Sequence, residues 1–115
     1  MPEESEKVLS LAIERDGDTA VVKCHGRLVA GTTEELFQEV KQLLPQTKVV
    51  VIDLAELTYV DSMGLGTLVR LYASSRQEGC EFKLLHLGKQ LRNLLKLTNL
   101  LSVFSQVEDH GITIA

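Results

Sequence analysis

Lys48-Val49-Val50-Val51-Ile52-Asp53-Leu54 is the stretch that decides how this chain is read. It is short, β-branched and without apolar–polar alternation, the pattern of a strand buried on both faces at the middle of a sheet. Before it, Leu36, Phe37, Val40, Leu43 and Leu44 recur at one-face helical spacing, and Pro45 ends the segment. Thr32-Thr33-Glu34-Glu35 opens that helix as a capping box, with Thr32 as cap and Glu35 reaching back. After the strand, a connector from Ala55 to Asp61 leads to a second helical face, Leu65, Leu68, Val69 and Tyr72, which Gly79 stops. An apolar strand between two helices predicts a parallel sheet with right-handed crossovers.

Working outward, Leu9-Ser10-Leu11-Ala12-Ile13 alternates and is followed by the tight-turn signal Asp16-Gly17-Asp18. The return run, Thr19 to Leu28, completes a hairpin. On the other side, Glu81 to Leu87 reads as a strand, Leu91, Leu94, Leu95 and Thr98 as a third helical face, and Val103 to Val107 as a last short strand. The expected order is β-β-α-β-α-β-α-β: an α/β fold with a mixed, mostly parallel sheet, an antiparallel N-terminal hairpin and helices packed on it. No repeat, low-complexity tract or linker divides the chain, so residues 1–115 read as a single domain.

Composition narrows the functional classes. With 115 residues and 44% hydrophobic content, the chain can bury a core without metal or disulfide support. A formal charge of -4 offers no basic stripe for phosphate backbones, which argues against nucleic acid as a partner. The segment Met1 to Lys7 is acidic and carries no secretory pattern, and Asp53, Glu56 and Asp61 interrupt the most apolar region, so a cytoplasmic protein with no membrane partner is expected. Cys24 and Cys80 stand singly and read as reduced packing residues; no His or Cys pair has metal-ligand spacing, and no cofactor is implied.

The chemistry concentrates in Tyr59-Val60-Asp61-Ser62-Met63-Gly64-Leu65-Gly66, between the central strand and the second helix, at a strand's carboxyl end where α/β sheets receive partners. Ser62 suits the N-cap position, its hydroxyl accepting from free amides of the first turn. A cap alone leaves Gly64 and Gly66 unexplained, since each costs a helix up to about 1 kcal/mol relative to Ala. Bare backbone would let another protein approach Ser62, and Asp61 can hold the hydroxyl or the loop amides. Phosphorylation of Ser62 would add about −1.5 to −2 charge at a helix N-terminus, which the dipole tolerates while a docked partner does not.

At these residues the chain resembles the STAS family, and within it the short anti-sigma factor antagonists, or anti-anti-sigma factors. The resemblance covers nearly the whole chain. It rests on Asp61-Ser62-Met63-Gly64-Leu65-Gly66, similar to the family's D-S-x-G-[LI]-G loop, on the strand Val49 to Leu54, and on Gly26-Arg27-Leu28. It implies a bacterial regulator of transcription that is not an enzyme. Ser62 would be the phosphorylation site, modified by a serine kinase that is also an anti-sigma factor and reset by a PP2C-type phosphatase; the unmodified protein would capture the kinase and free the sigma factor. Asp61 would support the site, Met63, Gly64, Leu65 and Gly66 would shape the docking surface, and Gly31, Thr32 and Thr33 its rim. Val29 stands where many relatives carry Asp. Val107 to Ile114, with Gly111 at its centre, lacks the spacing of the final helix that many relatives have.

Rival readings are weaker. In a G-x-S-x-G hydrolase the residue two before the nucleophile is Gly, and here it is Val60; His25, His86 and His110 supply no obvious base. Gly64-x-Gly66 lacks the third glycine of a dinucleotide site. A different STAS role, as a scaffold subunit of a stress-sensing assembly or an adaptor for a transporter or lipid system, is the alternative. Leu91, Leu94, Leu95, Leu97, Leu100 and Leu101 exceed one buried face, so a monomer or weak homodimer is expected.

Overall fold

The computed structural model describes residues 8–100 in full and the backbone of residues 106–108 and 111–114. The chain opens with strands β1 (Leu9–Asp16) and β2 (Thr19–Leu28), paired antiparallel from Leu9↔Gly26 to Asp16↔Thr19. That register leaves a two-residue turn, and Gly17 takes the positive φ of 63° that such a turn requires. The carbonyl of Asp18 then accepts from the amides of Lys48 (2.8 Å) and Val49 (3.2 Å), tying the turn to the start of the central strand.

Helix α1 (Thr33–Leu43) follows and buries Leu36, Phe37, Val40 and Leu43 on the expected stripe. The Thr32 half of its capping box does not form. Thr32 stands at the cap position, but its Oγ1 accepts from the Val29 amide (2.9 Å) and turns its own hydrogen to the Arg27 or Val29 carbonyl (3.0 Å each). The side chain fastens the end of β2 instead of the helix start. Pro45 does not stop the helix outright; a 3-10 turn, Leu44–Gln46, carries it on.

Strand β3 (Val49–Val60) is the middle of the sheet and longer than expected. The segment Ala55 to Val60, expected as connector, pairs with β2 through His25↔Glu56 and Arg27↔Tyr59, across two register shifts. It reads as a loop because Ala55, Glu56, Thr58 and Tyr59 have left the core and face solvent. Within the apolar run, Val50 and Ile52 are 0% exposed on the helix-covered face; on the other, Val51 is 9% exposed but Val49 and Asp53 are only half-buried, so the expected burial on both faces holds only in part.

Helix α2 (Ser62–Glu78) ends at Gly79, whose φ of 72° reverses the chain while the Cys80 amide returns to the Ser75 carbonyl (2.9 Å). Strand β4 (Glu81–Leu85) and helix α3 (Lys89–Leu97) come next. The last strand begins at Gln106 and has a partner the sequence pattern did not announce: β5 (Gln106–Glu108) and β6 (Gly111–Ile114) pair antiparallel, and β6 pairs antiparallel with β4. The stretch that lacks helical spacing is thus largely strand. The expected strand start at 103–105, Leu101, His110 and the segment 1–7 lie outside the described residues.

The sheet order is β1-β2-β3-β4-β6-β5. Parallel pairing holds the centre, β2-β3-β4, and antiparallel pairing both edges. One hydrophobic cluster joins Ala20, Val22, Val50, Ile52, Phe82 and Leu84 of the strands to the buried leucines of all three helices. Those side chains share one sheet face; on the other, Lys23 is exposed while Asp53 and Lys83 are half-buried. On the helix side α3 buries Leu91 and Leu95 and leaves Leu97 82% exposed, which is where the leucine excess goes.

Candidate functional site

The loop at the carboxyl end of β3 is built by one carboxylate. Asp61, not Ser62, is the N-cap of α2: in extended conformation, it accepts from the Gly64 amide at 2.9 Å. Its other oxygen accepts from the Ala30 amide at 3.0 Å, so a single side chain joins the first turn of α2 to the loop after β2. These bonds, Ala30 first and Gly64 next, hold the Asp61 carboxyl below its ordinary range, because they favour the ionised form. Asp61 wins the cap over Ser62 because its longer side chain reaches both loops while its amide donates to the Leu28 carbonyl (3.3 Å).

Ser62 is therefore the first helical residue, exposed, with its hydroxyl not engaged in capping. Met63 beside it is 58% exposed. The two glycines differ. A Cβ on Gly64 would lie 2.2 Å from the Leu28 carbonyl oxygen, so the missing side chain is what lets α2 sit against the end of β2; a Cβ on Gly66 would meet nothing within 4 Å. Leu65 is 3% exposed and belongs to the core. Of the loop motif, Ser62, Met63 and Gly66 face outward, and Gly64 and Leu65 face inward. On the rim, Gly31 is exposed, while Thr32 and Thr33 are half-buried, Thr32 being spent on the turn it fastens.

Sequence reasoning missed the Ala30 amide and the Leu28 carbonyl and gave no role to Tyr59, which is 49% exposed three positions before Ser62. Backbone groups carry no signal in a side-chain pattern; Tyr59 was readable as an unburied aromatic beside the motif. It also missed Gln90, whose side-chain amide binds both backbone groups of Val60.

This geometry sits in a chain whose residues 10–111 match the STAS domain model. The chain belongs to the STAS domain family. This STAS domain is 33% identical over 88 residues to the anti-sigma-B factor antagonist of Listeria monocytogenes, covering 76% of this chain and 77% of that one. Its fold is that of an anti-sigma factor antagonist from Mycobacterium paratuberculosis (TM-score 0.72, 24% identity, 82% of this chain and 80% of that one). It also matches the Bacillus cell fate determinant SpoIIAA in its phosphorylated form (TM-score 0.66, 16% identity, 79% and 85%). As in those proteins, a mixed α/β sheet carries helices around a single core.

Elsewhere in the STAS domain Asp53 has structural partners. Asp53 Oδ1 accepts from the Ala55 amide (3.0 Å) and meets His86 Nδ1 at 2.9 Å. Burial raises its pKa, but the His86 and Ala55 hydrogen bonds and the His86 and Lys23 charges outweigh that and hold it below the usual carboxylate range. Cys24 and Cys80 are free and buried, and burial, then the Asp53 charge, push the Cys24 thiol up to about 12, so it stays protonated. Among the described residues no cluster is arranged to hold a metal ion, and no helix is long and apolar enough to cross a membrane.

Proposed function

We propose that this STAS domain is an anti-sigma factor antagonist whose binding is switched by phosphorylation of Ser62. The observation that carries the reading is the division of labour at the start of α2. Asp61 does the capping, so the Ser62 hydroxyl is free for modification at an exposed position of a rigid element. The Listeria relative and the Mycobacterium fold neighbour, each named an anti-sigma factor antagonist, support the partner class. The unmodified protein binds an anti-sigma factor that is also a serine kinase, a PP2C-type phosphatase restores it, and the exchange takes place in the cytoplasm. It is a binding switch and not an enzyme.

Charge explains the switch. A phosphate at Ser62 gains from the first-turn amides and the helix dipole, so the fold persists. A partner lying over Ser62, Met63 and Gly66, with Gly31 at the rim, meets a dianion beside the Asp61 carboxylate and loses a few kcal/mol unless it brings a cation. The test compares fully phosphorylated and unmodified protein for binding to an anti-sigma kinase encoded beside the gene. At least a tenfold difference in dissociation constant, about 1.4 kcal/mol, is expected. Equal affinity overturns the reading. Because Asp61 is the cap, Ser62→Ala should change stability by no more than about 0.5 kcal/mol while binding constitutively and accepting no phosphate.

A further inference from the structure

We propose that Gln90, in the first turn of α3, is a positioning residue for the Ser62 loop, through which a shift of α3 changes how Ser62 is presented. The regulatory meaning rests on Ser62 being the switch; the positional claim does not. Strand β4 pairs with β3 only as far as Asp53↔Leu85, so from Leu54 to Val60 the strand has β2 on one side and, among the described residues, no neighbouring strand on the other. In a parallel ladder a residue's N–H and C=O point to the same edge. The Asp61 amide points to β2, where it meets the Leu28 carbonyl, and the Val60 pair points away from it.

There the primary amide of Gln90 takes the place of a missing strand. Its Oε1 accepts from the Val60 amide at 3.0 Å and its Nε2 donates to the Val60 carbonyl at 2.7 Å. Val60 is 2% exposed, is the last residue of β3, and lies two positions before Ser62. Its height in the sheet sets where Asp61 and α2 begin. Gln90 is anchored in turn by Leu91, 3% exposed, and by Leu95, 0% exposed. A cavity of about 230 Å³ opens beside the clamp, with Leu54, Leu57, Thr58 and Lys89 in its wall, so the bond is not locked inside close packing. Among the described residues, the side-chain hydrogen bonds between α3 and the end of β3 both come from this amide, which carries a donor and an acceptor.

That pairing makes the test specific. Gln90→Met fills similar space with neither group. Gln90→Glu keeps an acceptor but as a carboxylate cannot donate to the Val60 carbonyl; once protonated, it again carries one donor and one acceptor. Backbone amide resonances of the full chain are recorded for parent and variants, each against the parent at the same pH so that the titration of Asp61 and other groups cancels. At neutral pH both variants should displace the Ser62 to Gly66 resonances, and the Met variant, which has no acceptor for it, should also speed exchange of the Val60 amide about tenfold, as expected for one lost hydrogen bond. On acidification the Glu variant should return to the parental positions and the Met variant should not. Asn93→Ala, on the exposed side of α3, should move none of them. Ser62 to Gly66 resonances unchanged at neutral pH, including the case in which only Val60 moves, overturn the proposal; so does a Glu variant that stays displaced when protonated. Because no kinase takes part, failure here is distinct from failure of the phosphorylation reading.

Discussion

The first turn of α2 has two faces that meet opposite demands within five residues. Inward, Gly64 has no room for a methyl group and Leu65 is sealed in the core; outward, Met63 and Gly66 touch little of their own chain, and the Ser62 hydroxyl is exposed. The inward face is constrained by packing, so its residue types follow from the fold. The outward face is not, so a bare glycine there, which weakens a helix, points to something outside the molecule. One motif thus mixes structural and functional residues, and only the packing sorts them.

Substitutions along the turn should break the two faces apart, and the largest effect is expected inside. Leu65→Ala should cost about 3 kcal/mol in denaturant unfolding, within the usual range for a buried leucine. Gly64→Ala should cost about 2 kcal/mol or more, because the obstacle is the Leu28 backbone, which cannot swing aside as a flexible side chain would. A neutral Gly64→Ala would mean that α2 is free to lift from β2, and the contrast with Gly66 would disappear.

Asp61 serves both faces, and its removal sharpens the comparison at an intermediate scale. Asp61→Ala should lose about 1–2 kcal/mol with the cap and the Ala30 bridge. The same carboxylate sets a pH dependence. Its folded pKa lies below the unfolded value, so its contribution is present above the ordinary carboxylate range near pH 4 and is lost as pH falls through the lowered value. Acid unfolding of Asp61→Ala should therefore be flatter below about pH 4 than that of the parent. Parallel curves would remove Asp61 from the account.

The smallest effect changes sign. Gly66→Ala meets no atom and should stabilise the helix by about 1 kcal/mol while weakening partner binding. Opposite movement of stability and affinity at Gly66, against joint loss at Gly64, is the pattern that a surface kept bare for docking produces. An alanine at Gly66 that leaves binding intact would make that glycine incidental.

Much of this fold was legible because burial leaves a pattern. Val50, Ile52 and Leu54 of the central run and the stripe of Leu36, Phe37 and Val40 feed one cluster and are visible in the side chains alone, while the stop at Gly79 is legible because a left-handed helix end favours glycine. The second half of β3 was not legible, since Glu56 and Tyr59 are held by backbone pairing outside the core, and Thr58, at a register shift between the pairs, by its hydroxyl on the Gly26 carbonyl. The caps were misread for a related reason. Thr32 and Ser62 have the right chemistry for their places, but choosing between neighbouring polar groups depends on distances to Ala30 and Val29 that no local spacing encodes. Gln90 had no signal either: a glutamine in a first helical turn is ordinary until the strand edge it completes is seen.

The bridge from Asp61 to Ala30 spans 31 positions of the chain. A contact of that separation has a longer loop to close than the β1–β2 hairpin and so costs more chain entropy to form. A chain still leaving the ribosome can therefore hold its hairpin while the rim and the Ser62 turn are not yet one surface. Any partner that needs both at once recognises only molecules that have finished folding, so half-made copies do not draw it away.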